Sequence, residues 1–423
     1  MLYTYERLTD PEVTTPYSSN YSLVKNVTAP DPHTVRVAYR EPFVPALESW
    51  GMGIVPRHVF GGARGKGFNS HPANRSPIGT GPYRFIRWDP DEKIILEANP
   101  GYFRGRPKIP KYVFRIIPDQ SVEFLELRNK SIDILLLTPD QYHAYPEFFE
   151  GYKKYRLPRA VYTYLGFNLD QPLFRDKKVR TALAMAIDKE DLVRGVLMGL
   201  GRAATGPYLP LSWAFDPGVK DFDHDPKRAA EILGEAGWTD SDGDGVLDRG
   251  GRPFEFTIIT NQGNKMRSLS AEIIQEQLAR IGVKVQIRVL EWSTFLKDFI
   301  DKHKFDACIL GWSLSPDPDQ HGIWHSSQRG EGRYNFVSYS NPEVDRLLEA
   351  GRREFDPEKR KRLYRRTHRL IHDDIPYVFL YYPDQLPVVS DRVEGVKLAP
   401  LSSFGFGWNF EEWRTAGAPA RTP

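Results

Sequence analysis

Between Leu269 and Trp312 the chain alternates helical and strand-like apolar runs, and this order constrains the fold more than any other feature. Leu269, Ile273, Ile274, Gln277, Leu278 and Ile281 fall on one helical face that stops at Gly282. The run VKVQIRVL follows as a strand, Phe295, Leu296, Phe299 and Ile300 mark a second helix, and FDACILGW reads as a buried strand. Strand, helix, strand is a crossover unit, which predicts neighbouring parallel strands joined with right-handed connectivity. The expected class is therefore α/β.

The other patterns are consistent with that class. Val179, Ala182, Leu183, Ala186 and Ile187 share a helical stripe. Asp225-Pro226, Asn341-Pro342 and Asp356-Pro357 each pair a capping side chain with proline at the first helical position. IPYVFLYY reads as a last long strand, and KYVFRIIPDQSVEFLELRNKSIDILLL as strand, helix, strand. Near the start, Val35, Val37 and Tyr39 alternate with Arg36, Ala38 and Arg40, the period of a half-buried strand.

The chain has 423 residues, too many for one compact core, and two or three lobes are expected. Basic residues number 58 and acidic residues 55, a net charge of +3, so no basic excess points to nucleic acid. Cys308 is the single cysteine, which excludes an internal disulfide framework and a multi-cysteine zinc site. No apolar run approaches the roughly 18 residues that a bilayer span requires. Aromatic residues at 13%, with 34 Gly and 34 Pro, suggest clefts lined by rings between turn-rich lobes.

Catalytic signatures are sparse. No nucleophile elbow, phosphate loop or His-Glu-x-x-His helix occurs, and the glycines at 199, 201 and 206 have the wrong spacing for a dinucleotide loop. His368 and His372 lie one turn apart on an Arg-rich helix, where a solvated face is the simpler reading. His321 and His325 repeat that spacing in a predicted loop. Asp240, Asp242, Asp244 and Asp248 resemble the start of a calcium loop, with Gly245 at the sharp turn, although Gly251 stands where a bidentate Glu would end it. A structural calcium and a polar Asx-turn loop are both open readings, and no other cofactor is expected.

The segment after FDACILGW is a connection far longer than the usual 4–6 or so residues. Ligands of open α/β sheets bind beyond the carboxyl ends of strands. Trp312, Ser313, Leu314, Ser315, Asp317, Asp319 and Trp324 there, with His325 beside them, mix rings with directed polar groups, and Asn261 is placed with them as a ligand contact.

Taken together and in order, APDPHTVRV, PIGTGPYRF, LEANPGYFRGRP, ELRNKSIDI, VRTALAMAIDKEDLV, DPKRAAEILGEAGW, the unit ending in LGW, and YSNPEVDRLL resemble the family 5 extracellular solute-binding proteins. This is the peptide-binding group that serves ATP-binding-cassette importers. The resemblance implies a two-lobed periplasmic-binding-protein fold of type II that closes around its ligand by hinge bending, without chemistry. Residues 1–78 would be an extra subdomain of the first lobe, 79–172 its core, 173–385 the second lobe, and 386–423 the return to the first. Gln171–Arg175 and Tyr382–Leu386 would form the hinge.

The resemblance further implies a monomer outside the cytoplasmic membrane, partnered by importer permease subunits and a peptide or similar polar oligomer. Alternatives are a non-peptide solute such as a sugar or modified peptide, a sensory binder, or a metal-dependent hydrolase. Two departures stand out. Family members open with a signal peptide and strands of the first lobe, which are not found here, so Met1 is read as a misassigned or truncated start that lacks on the order of a hundred residues. Peptide binders also place an Asp just after Gly-Trp to meet the ligand's ammonium. Here Ser313, Leu314 and Ser315 stand there, so either Asp317 or Asp319 swings inward to meet the ammonium or the ligand has no free ammonium at that point, as a sugar or modified peptide would not.

Overall fold

The computed structural model describes residues 1–15, 17–399 and 405–417. Its largest unit is a sheet in the strand order Gly201–Ala203, Tyr377–Gln385, Val161–Phe167, Ala307–Ser313, Glu255–Asn261, Lys284–Leu290, with Leu157–Pro158 also paired to Tyr377–Gln385. Strand residues alternate between its two faces, and both faces are buried. Leu165, Phe167, Ile258, Ile309, Val378 and Leu380 point into one apolar cluster. Tyr162, Tyr164, Ile259, Cys308, Leu310, Tyr377 and Phe379 point into the other. Double burial explains why FDACILGW and IPYVFLYY read as unbroken apolar runs rather than alternating ones.

Helices Lys177–Ala186, Pro226–Glu235 and Lys265–Ala279 supply the first cluster with Ala182, Leu183, Leu233, Ile274 and Leu278. Helices Pro342–Arg353 and Pro357–Asp374 supply the second with Val344, Leu348, Tyr364 and Ile371. The side chains of Asp225, Asn341 and Asp356 accept backbone N–H bonds from the first helical turns, as the Asp/Asn-Pro pairs predict.

A second, smaller core holds Leu127, Leu135, Leu137, Phe149, Leu386 and Val388 beneath a three-stranded sheet of Ile134–Leu136, Pro387–Ser390 and Tyr152–Lys154. Beside it stand the sheet Tyr83–Asp89, Lys93–Ala98 and Lys111–Arg115, and the hairpin Val24–Asp31 with Thr34–Tyr39. The molecule is an α/β protein of two lobes.

Three expectations are corrected. Lys284–Leu290 and Ala307–Ser313 are parallel but not neighbours, because Glu255–Asn261 lies between them and pairs in parallel with both. Lys111–Arg115 and Ile134–Leu136 do not share a sheet. Most consequential, Val161–Phe167 is a central strand of the large sheet, flanked by Ala307–Ser313 and Tyr377–Gln385. The first crossing between lobes therefore lies at Leu157–Ala160, not at Gln171–Arg175, and Phe174 is fully buried in the second lobe's core. The return crossing is at Leu386, between Tyr377–Gln385 of one sheet and Pro387–Ser390 of the other. Leu157–Pro158 is hydrogen-bonded antiparallel to Asp384–Gln385, so the two crossings lie side by side.

Candidate functional site

Two contiguous cavities of about 500 and 620 Å³ open where the strand Ala307–Ser313 ends. Both lie in the size range of small-ligand sites. They share Tyr17, Asn20, Ser315, Asp317 and Asp319 as lining. One wall comes from residues 8–53, with Tyr21, Phe43 and Glu48. The other comes from the second lobe, with Tyr208, Trp213, Trp312 and Tyr334.

The strand ladder shapes this end of the cleft. Gly311, Trp312 and Ser313 pair antiparallel with Thr163, Tyr162 and Val161, and the Leu314 N–H donates to the Ala160 carbonyl at 2.8 Å. The Trp312 ring lies edge-on to Tyr334, with centroids 5.2 Å apart, and near Phe336, while its indole N–H donates to the Tyr377 hydroxyl at 3.3 Å. These contacts hold Trp312 in place where it lines the cavity.

The acids of the loop are already partnered. Arg360 clasps Asp317 through two parallel bonds of 2.6 and 2.8 Å, and both side chains are largely buried. The Arg352 Nε donates to Asp319 at 2.8 Å, and Asp319 also accepts the His321 N–H. An ammonium that met either carboxylate would therefore share it with an arginine.

The remaining sequence candidates divide in the same way. Ser313, Leu314 and Ser315 line the cavity. Trp324 does not: it is fully buried, its indole N–H donates to Gln320 at 2.7 Å, and its ring packs on Tyr377 and Phe379. Asn261 is nearly buried at its strand's end, where its Oδ1 accepts from Arg267 at 2.7 Å, and it lines neither cavity. The rings of His321 and His325 stack with centroids 4.1 Å apart, since His321–Trp324 is a short helix rather than a loop. Burial, reinforced by Arg352 and His325, pushes His321 down to about 2, so it stays neutral.

His368 is fully buried rather than part of a solvated face, and His372 is nearly so. The His368 Nδ1 accepts the Asp216 N–H at 3.1 Å, which leaves its Nε2 as the donor to the Thr205 carbonyl. In the acidic loop, carboxylate oxygens of Asp240, Asp242 and Asp244 lie within 4.8 Å of one another. All three accept backbone N–H bonds from Gly243, Gly245, Asp244 and Val246, the geometry of successive Asx turns. Asp248 stands apart, engaged by the Ser241 hydroxyl and N–H.

Sequence reasoning missed Tyr17, Glu48, Tyr208 and Trp213 as cavity residues. Periodicity could not have found them, because they come from turn-rich segments where no period exists. An excess of aromatic residues in the composition was the only trace.

Residues 41–44 touch the helix Pro342–Arg353 directly beside the cavities. The Val44 N–H donates to the Arg352 carbonyl at 2.7 Å, Arg353 bonds Glu41 at 2.9 Å, and Arg352 lies over the Phe43 ring at 5.6 Å.

Comparison with known proteins bears on this cleft. Residues 1–335 match the family described as bacterial extracellular solute-binding proteins, family 5 Middle. The oligopeptide-binding protein AppA of Bacillus subtilis (strain 168) is 37% identical over 403 residues, covering 93% of this chain and 73% of the relative. The structure of AppA from Bacillus subtilis in complex with a nonapeptide superposes with a TM-score of 0.90 at 34% identity, covering 98% of this chain and 82% of that one. NikZ from Campylobacter jejuni, in complex with Ni(L-His), superposes with a TM-score of 0.89 at 29% identity, covering 98% and 83%.

Proposed function

The chain belongs to the bacterial extracellular solute-binding proteins of family 5, and from that premise we propose that it captures peptides as the substrate-binding subunit of an ATP-binding-cassette importer. It would work outside the cytoplasmic membrane, deliver its ligand to permease subunits, and carry out no bond-breaking step. Residues 1–78 would act with the first lobe and Val161–Gln385 with the second, the paired crossings at Leu157–Ala160 and Leu386 serving as hinge.

The observation that carries the reading is the divided ownership of the cavity. Its walls come from two bodies joined by two adjacent strands, so a ligand that touches both favours the closed arrangement by the contacts it adds there. Trp312, Tyr334, Tyr17 and Trp213 offer ring surfaces that accept varied side chains. The Ser315 backbone, just beyond the bond from the Leu314 N–H to the Ala160 carbonyl, offers edge groups to an extended chain.

Mass spectrometry of small molecules released from the purified protein tests the reading. A ladder of peptides is expected. A single sugar or other non-peptide species would replace the ligand class while leaving the hinge mechanism intact.

A further inference from the structure

The positive charge of this chain is concentrated on one helix. Pro357–Asp374 carries seven Lys or Arg side chains against three acids, a net charge of +4, whereas the whole chain carries +3. Helical spacing sorts its residues by face. Arg360, Tyr364, His368 and Ile371 are buried on the inner side. Lys359, Arg362, Arg366 and Arg369 are exposed and, with the half-buried Arg365, recur at three- and four-residue spacing along the outer side. None of these five lines either cavity, so the basic face is separate from the cleft.

Helix stability does not account for this face. Arg362 and Arg366, and likewise Arg365 and Arg369, are like charges one turn apart, an arrangement that weakens a helix. Acids from neighbouring segments answer only part of it: Glu343 meets Arg366 at 3.0 Å, and Asp216 meets Arg369. Lys359, Arg362 and Arg365 have no hydrogen bond or ion pair among the described residues, and neither has Arg346, exposed on the packed helix Pro342–Arg353. The turn that opens the helix adds Phe355, a ring left 65% exposed.

We propose that the outer face of Pro357–Asp374 docks the protein on an anionic phospholipid surface, with guanidinium groups meeting lipid phosphates and Phe355 entering the interfacial layer. The inference goes beyond peptide capture and does not depend on it. A guanidinium fork matches phosphate oxygens, and an anionic leaflet attracts every exposed Lys or Arg without needing a shaped partner. An exposed aromatic ring beside those cations is the chemistry of a membrane interface rather than of an acidic protein face.

Co-sedimentation of the full chain with vesicles tests this, using phosphatidylcholine alone and phosphatidylcholine mixed equally with phosphatidylglycerol. Wild type is expected to bind the mixed vesicles at least about tenfold more tightly, and to lose that preference at high salt. The triple variant Arg346→Gln, Lys359→Gln, Arg362→Gln should bind them at least about tenfold more weakly than wild type. The three replaced side chains bond nothing, so the fold is kept, and an unchanged thermal midpoint verifies this. Equal binding of both vesicles by wild type overturns the inference, as does a variant that binds like wild type. Retention on immobilised polyglutamate without binding to either vesicle assigns the face to an acidic protein partner and overturns the membrane assignment.

Discussion

At the scale of single residues, identical side chains twelve positions apart serve opposite ends. Trp312 ends a strand and Trp324 lies in the short helix beyond it, yet the first lines a cavity and the second is sealed in the core. Trp324→Ala should cost about 3–5 kcal/mol of stability, whereas Trp312→Ala should mainly weaken ligand binding. Chemical denaturation of both variants, with and without peptide, separates the two effects. Asp317→Asn should likewise act through folding. It leaves Arg360 with half of a largely buried pair, at a cost of about 2 kcal/mol, read as a lower denaturation midpoint in ligand-free protein. His368 sets a pH limit. Burial pushes it down to about 4, and its Nδ1 can accept the Asp216 N–H only while neutral. Because the unfolded state binds its proton first, near pH 6.5, stability is full above that value and is lost as pH falls from about 6.5 toward about 4. Denaturation at pH 7 and pH 4.5 should show the loss, and His368→Gln should flatten that difference.

At the scale of elements, strand and helix positions were legible because their periods are local. Ile375 shows where locality ends. It terminates the helix Pro357–Asp374 in the left-handed region, with φ 52 and ψ 51, where glycine would be the usual choice. A non-glycine residue there gives up about 1–2 kcal/mol, yet the side chain is 1% exposed in the main core. Removing a buried Ile side chain costs more, about 2–5 kcal/mol. Packing wins, so Ile375→Gly should lower stability despite relieving the backbone, with equilibrium unfolding as the measure. The strand Val161–Phe167 makes the same point for whole elements. Which sheet it joins depends on Ala307–Ser313 and Tyr377–Gln385, more than a hundred residues away.

At the scale of the whole molecule, function rests on the relation between two bodies. Lys265 of the second lobe bonds Asp140 of the first at 3.0 Å, and both side chains are about half exposed or more. Such a pair contributes no more than about 1 kcal/mol, so Lys265→Ala should leave ligand affinity within about fivefold of wild type in a calorimetric titration. Ligand itself should have the larger effect: at a hundredfold excess over Kd it adds about 2.7 kcal/mol, seen as a higher melting temperature. Small-angle scattering should show the radius of gyration falling as the lobes close. The sequence by itself determined the α/β class, the capped helices, the two-lobe scale, the family resemblance and the loop that lines the cleft. Each of these depends on local period, local caps or an ordered set of short strings. Only the tertiary structure decided the strand order, the hinge position, the burial of Trp324 and the pairing of Asp317 with Arg360 and Asp319 with Arg352. It alone brought Glu48 opposite them. Those are contacts between distant segments, and no local pattern records which charge will meet which.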